Sequence, residues 1–146
     1  MEKVLPTTSA APRWVMAWYW LPVLLYAGLI FYLSSLPHPE EKLPDLLFKQ
    51  VSDKFLHLVE YAVLAVCCYR AFRWAAGRTV SRHAVILTIV AASFYGMTDE
   101  IHQAFVPFRE SSWLDWVADT VGAAIGAVAS GRFVKRAAQT ACRDKV

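Results

Sequence analysis

The chain has 146 residues, of which 57% are hydrophobic and 18% charged, with a mean hydropathy of +0.36. Soluble domains carry roughly 45–50% apolar and about 25% charged residues, so this balance argues against an ordinary soluble enzyme and excludes disorder. The net charge of +3 is small, but it hides a strong segregation of bases from acids along the chain.

From Trp14 to Pro39 there is no Asp, Glu, Lys or Arg, and Val15–Leu33 reads as one apolar run. Roughly 20 residues at 1.5 Å each cross a ~30 Å hydrocarbon layer. Pro22 is tolerated in such a helix. The run is longer than the roughly 7–15 residues of a signal-peptide core, and no clear small-x-small cleavage site follows, so it reads as a retained span. Phe55–Phe72 is apolar apart from His57, Glu60 and Arg70. Ala84–Thr98 is uncharged but short, and Trp113–Phe133 is long enough yet contains Asp115 and Asp119. Singly, each of the last three competes with a buried helix of a soluble protein. Together with the first they predict an all-α bundle of four transmembrane helices, spanning about 15–35, 55–72, 83–99 and 114–133 in a single domain over 1–146. Cys67, Cys68 and Cys142 are too few for a disulfide framework, and the adjacent pair reads as small core residues.

Charge sets the expected orientation. With the N-terminus inside, the cytoplasmic segments hold eleven bases against Glu2 and Asp144, a net of +9, and the opposite face holds four bases against ten acids, a net of −6. Lys and Arg accumulate on the cytoplasmic side, so both termini are expected in the cytoplasm. Trp14, Trp18, Trp74, Trp113 and Trp116 fall near span ends, where indoles favour the headgroup layer. The outer side has two pieces: Ser34–Ser52, ending in the short amphipathic DLLFKQVS, and roughly Glu100–Ser112.

Polar residues inside the spans carry the functional signal, because a charge in hydrocarbon costs at least a few kcal/mol. The first cluster is DKFLHLVEY. Asp53, His57, Glu60 and Tyr61 fall within about 100° of one another on a helix. A snorkelling helix start explains Asp53 and Lys54 but not Glu60, about two turns deeper. The second is YGMTDEIHQAF, in which Asp99, His102 and Gln103 share a face if the helix continues, one turn from Tyr95. Gly96 there permits close backbone approach. Acids at a helix C-terminus oppose the macrodipole, so Asp99 and Glu100 are poor choices as mere capping. The third is the stripe Ser112, Asp115, Asp119, Gly122, Gly126 and Ser130. Asp115 suits a helix start, while Gly122 and Gly126 form a small-xxx-small packing surface. The packing face and the acid face coincide, so packing this helix inward carries Asp119 toward the other clusters. Arg109 is the one base of the second outer loop, read either as a solvated charge, as a counter-ion to Asp99 or Asp119, or as a fork for phosphate or carboxylate.

On those residues the chain resembles the VanZ-like family of small bacterial membrane proteins. The matching elements are YLSSLP (Tyr32–Pro37), DKxxHxxxY (Asp53, Lys54, His57, Tyr61), YGxxDExHQxFVPxR (Tyr95–Arg109) and DxxxDxxGxxxG (Asp115, Asp119, Gly122, Gly126). They extend over residues 32–126. The chain departs from the resemblance at Asp119-Thr120, where Asn-Thr is expected. The family's namesake is linked to teicoplanin resistance, so the resemblance implies a role in the cell envelope rather than a known reaction.

Three functions compete. The first is an envelope binding protein in the bacterial cytoplasmic membrane, holding a lipid-linked cell-wall precursor or a glycopeptide-type ligand at the outer leaflet. Its binding set would be Asp53, Lys54, His57, Tyr61, Asp99, Glu100, His102, Gln103, Arg109 and Asp119. The second is a membrane-embedded hydrolase or transferase, with Glu60, Asp99 and His102 as candidate acid–base groups or with a divalent metal. No HExxH and no paired-His spacing is present, so no metal ligand set and no cofactor are assigned. The third is transport, disfavoured because polar residues occupy only the outer half of the spans. Membrane lipids are the expected surroundings, and no nucleic-acid partner is expected.

Overall fold

The computed structural model describes residues 13–36, 53–109 and 111–144, and no strand occurs among them. Helix α1 is Arg13–Ser34, α2 Asp53–Trp74, α3 the short Gly77–Arg82, α4 Ala84–Gln103 and α5 Trp113–Arg143. All but α3 are long and apolar enough to cross a membrane. The amphipathic stretch expected at 45–52 and the side chain of Asp53 lie outside the described residues.

The ends of α1 and α4 and the starts of α2 and α5 meet at one end of the bundle, which carries the acids. The opposite end carries Arg70, Arg73, Arg82, Arg132 and Lys135. Helix α2 lies at the centre, packed most extensively on α5 and also on α1 and α4. The sequence explains why α2 and α5 pair so closely. A Cβ at Gly122 would run into the carbonyl oxygen of Leu58, and one at Gly126 into that of Ala62. With Ala123 and Ala127 fully buried beside them, the two backbones touch directly, as small residues permit in membrane helices. Gly96 on α4 makes room for side chains instead: a Cβ there would stand 2.7 Å from Asp119 Oδ2 and 3.2 Å from Tyr61 Cε1.

Exposure is inverted relative to a soluble protein. Leu21, Leu24, Leu25, Ile86, Val90, Phe94 and Ile125 lie on the surface, while His57, Asp99, Glu100, Gln103, Asp115 and Asp119 are buried. Water would reward the opposite arrangement, and a contiguous apolar exterior of this extent suits hydrocarbon. At the basic end Tyr19 stacks on Trp74 at 6.1 Å, and Arg70 lies 5.8 Å from the Tyr19 ring centre. This is the mixed aromatic and basic girdle of a headgroup layer.

Two helices run past the ends expected for their membrane spans, which leaves those span ends untouched. The third span was expected to end near 99, yet α4 runs to Gln103. Its last turn survives burial because its polar side chains find partners on other helices. The fourth was expected to end near 133, yet α5 runs 31 residues to Arg143. Residues 132–143 contain no Gly or Pro and are rich in Ala, Arg, Lys and Gln, good helix formers. Gly77 joins α2 to α3 at φ 81°, a left-handed conformation that glycine adopts without strain.

Candidate functional site

Asp99 and Glu100 are adjacent on α4 and therefore about 100° apart around it. They serve two different seams. Asp99 faces α1. Ser34 Oγ donates to its Oδ1 at 2.7 Å, and Gln103 Nε2 donates to its Oδ2 at 2.9 Å. One turn on, His102 Nε2 meets Ser35 Oγ at 3.0 Å, and its ring stacks on Phe31 with centroids 4.5 Å apart. Tyr95 Oη donates to the Ala27 carbonyl at 2.7 Å. The serines at the exit of α1 thus hold the α4 polar face from the side.

Glu100 faces the other way, toward α2 and α5. Its Oε2 accepts from the Ser112 backbone N–H at 2.8 Å and from Ser111 Oγ at 3.2 Å. It therefore ties down the start of α5, where unpaired N–H groups need an acceptor. Ser112 Oγ in turn accepts from Leu114 N at 3.3 Å, the expected cap. Across the seam His57 Nδ1 lies 3.0 Å from Asp119 Oδ1, with the Asp119 side chain 0% exposed and that of His57 8%. Lys54 Nζ approaches Asp115 Oδ1 at 3.1 Å, half-exposed at the rim. Candidate ligand atoms of His57, Glu100 and Asp119 all lie within 4.8 Å of one another.

Five buried atoms at this end of the bundle have no hydrogen-bond partner: Glu100 Oε1, Asp119 Oδ2, Tyr61 Oη, Arg109 Nε and Asp115 Oδ1, the last of which forms the ion pair with Lys54. Buried polar groups are almost always paired, and an unpaired one costs about 1–3 kcal/mol. Glu100 Oε1, Asp119 Oδ2 and Tyr61 Oη lie in the seam around His57, with Asp119 Oδ2 packed against Gly96. Glu60, half-buried one turn below His57, lies within charge-interaction range of His57, Asp99, Asp119 and Arg109. It links the two seams.

A side groove of about 420 Å³ opens beside Glu100 and Ser111, walled by Met97, Ile101, Phe105, Trp113 and Trp116. Glu100 is accordingly reached from the apolar flank of the bundle, between α4 and α5.

Among the residues singled out from the sequence, His57, Glu100 and Asp119 converge, with Tyr61 beneath them and the Lys54–Asp115 pair at the rim. Asp99, His102 and Gln103 form the neighbouring seam with α1. Arg109 does not act as the counter-ion of Asp99 or Asp119. Among the described residues it forms no ion pair, and its Nη2 reaches the Leu33 carbonyl at 3.4 Å. Sequence reasoning gave no role to Ser34 and Ser35. Their signal was the polar pair closing a long apolar run, which is hard to distinguish from a plain helix exit.

These features define a multi-pass helical membrane protein with a buried polar cluster at one end of its bundle. The chain matches the VanZ/LLP1 family over residues 19–134 and belongs to it. Neither a curated protein nor a solved structure matches the chain.

Proposed function

We propose that this protein binds the headgroup of a lipid-linked envelope ligand, a cell-wall precursor or a glycopeptide-type molecule, at the acidic end of its bundle. The membrane would be the bacterial cytoplasmic membrane, with both termini in the cytoplasm and the acidic end in the outer leaflet. The observation that carries the reading is the pair of unpartnered carboxylate oxygens, Glu100 Oε1 and Asp119 Oδ2, of which Glu100 borders the apolar groove and Asp119 lies buried behind it. Their chemistry narrows the ligand. Acceptors need donors, so the headgroup presents an amine or hydroxyls to Glu100 and Asp119, while its apolar anchor lies along Met97, Ile101 and Phe105. A ligand that is only an anion would meet Glu100 and Asp119 unfavourably.

The test uses the full chain in detergent and a polyprenyl-diphosphate-linked amino-sugar peptide as the probe, with polyprenyl phosphate as the control. Native mass spectrometry should show the sugar-bearing lipid retained at least tenfold better than the control, and Glu100→Gln should abolish the difference. Equal retention of both lipids would contradict the reading.

A second reading has its own support. His57, Glu100 and Asp119 offer one imidazole nitrogen and two carboxylates within 4.8 Å, a mixed nitrogen and oxygen donor set that suits a divalent metal. In that reading the protein is a hydrolase or transferase acting on the same class of lipid, with the metal polarising the bond to be broken. Glu60, half-buried one turn from His57, would be the group that moves a proton.

A further inference from the structure

The basic end of the bundle contains a second cleft, remote from the acidic seam. It has a volume of about 520 Å³ and lies between the end of α2, helix α3, the start of α4 and the middle of α5. That is within the roughly 300–1,000 Å³ of small-molecule sites. Four bases line it: Arg73, Arg82, Arg132 and Lys135. No acid lines it, and none of the four forms an ion pair among the described residues. Arg73 Nη1 donates to Ser81 Oγ at 2.6 Å, which holds its guanidinium at the edge of the cleft. The floor is apolar, and residue 131 in it is glycine. A Cβ at Gly131 would stand 3.0 Å from Val85 Cγ2 and 3.9 Å from the Tyr69 hydroxyl.

Bases at this end are expected from charge segregation alone, and Arg78, Arg136 and Arg143 need no further reason. The four in the cleft differ because they come from three helices and surround a cavity. Its apolar wall, Val85 and Val128, continues toward the hydrocarbon. Positive rim, apolar wall and position at a span end together match an anionic phospholipid, and basic pockets between membrane helices hold such headgroups. Arg is suited to phosphate because its planar fork donates two parallel hydrogen bonds.

We infer that this cleft is a binding site for the phosphate of an anionic phospholipid, with the acyl chains leaving along Val85 and Val128. The site is independent of the ligand proposed for the acidic end. The same phosphate chemistry has two sources, a lipid headgroup and free phosphate, and the cleft's apolar wall selects the lipid.

The experiment uses the full chain reconstituted with cardiolipin, phosphatidylglycerol or phosphatidylcholine, with inorganic phosphate as a competing probe. Native mass spectrometry should retain cardiolipin and phosphatidylglycerol but not phosphatidylcholine. The double variant Arg132→Gln/Lys135→Gln should lose that retention by roughly tenfold or more. Arg136→Gln/Arg143→Gln makes the same charge change on the same helix outside the cleft, and should stay within about twofold. Equal loss in both variants, or no preference for anionic lipid, would overturn the site. Displacement of cardiolipin by inorganic phosphate at equal concentration would overturn the lipid assignment. A wild-type measurement covers the case in which the variant does not fold. Photoreactive phosphatidylglycerol should label peptides within 69–85 and 128–138, and labelling confined to other segments would reject the cleft.

Discussion

Gly122→Ala is expected to damage the acidic-end cluster without touching it. The added Cβ would lie 2.8 Å from the Leu58 carbonyl carbon and 3.0 Å from its Cα. Carbon atoms pack at about 3.5–4.0 Å, so α2 and α5 must separate locally by at least about 0.7 Å. The obstacle is backbone, which no rotamer change can clear. His57 precedes Leu58 on α2, and Asp119 lies one turn before Gly122 on α5. The same separation stretches the 3.0 Å contact between His57 Nδ1 and Asp119 Oδ1 to about 3.7 Å, beyond hydrogen-bond range. Overpacking contributes about 1–3 kcal/mol, and loss of a hydrogen bond to a charged group about 1.5–3 kcal/mol. Ala is the better helix former by about 1 kcal/mol. The net expectation is a destabilisation of about 1.5–5 kcal/mol, read by denaturant unfolding in mixed micelles. Gly28→Ala is the control, because a Cβ at Gly28 meets nothing within 4 Å. It should be neutral or stabilising by up to about 1 kcal/mol. The reasoning is refuted if Gly122→Ala and Gly28→Ala unfold at the same denaturant concentration.

Three other outcomes can be checked directly. Ser34→Ala removes one of the two donors to Asp99 and should cost about 1–3 kcal/mol in the same unfolding assay, with Ser34→Thr restoring part of the loss. Asp99→Asn and Arg109→Ala should abolish activity in a complementation assay while the protein still inserts, and Asp115→Asn should be milder, since its carboxylate sits at a rim pair and a favourable helix start; the reverse ranking would assign the α4 cluster a purely structural role. If the metal reading holds, Mn²⁺ added to the purified chain should give a bound signal by electron paramagnetic resonance that disappears in Glu100→Gln and Asp119→Asn, and a signal unchanged in both variants would place any metal elsewhere.

The helical architecture was legible because hydrocarbon imposes length and charge rules that a single sequence displays. The run from Val15 to Leu33 and the coincidence of Gly122 and Gly126 with Asp115 and Asp119 on one stripe were enough to place α1 and to turn α5 inward. Partner identity was less legible. Asp99 and Glu100 are neighbours in sequence, yet rotation around α4 sends one to the Ser34 seam and the other to the His57 seam. Whether a helix continues for one more turn decides such pairings, and the last turn of α4 is held by Ser34 and Ser112 from other elements and by Gln103 on Asp99 within the helix. The His57, Glu100 and Asp119 cluster draws one residue from each of three helices, so no local spacing announces it. Arg109 follows the left-handed Phe108, at φ 65°, a loop conformation that composition does not reveal. It reaches the Leu33 carbonyl instead of a carboxylate.

The central claim is that the open oxygens of Glu100 and Asp119 receive a lipid-borne headgroup. The most direct measurement is a cryo-electron microscopy reconstruction of the full chain in nanodiscs, held rigid by a bound antibody fragment and supplied with the polyprenyl-linked amino-sugar peptide. The account predicts headgroup density between α2, α4 and α5 within about 3 Å of both oxygens, as hydrogen bonding requires, with chain density continuing along Met97 and Ile101. Headgroup density elsewhere on the protein, with the seam between His57, Glu100 and Asp119 closed, would contradict it.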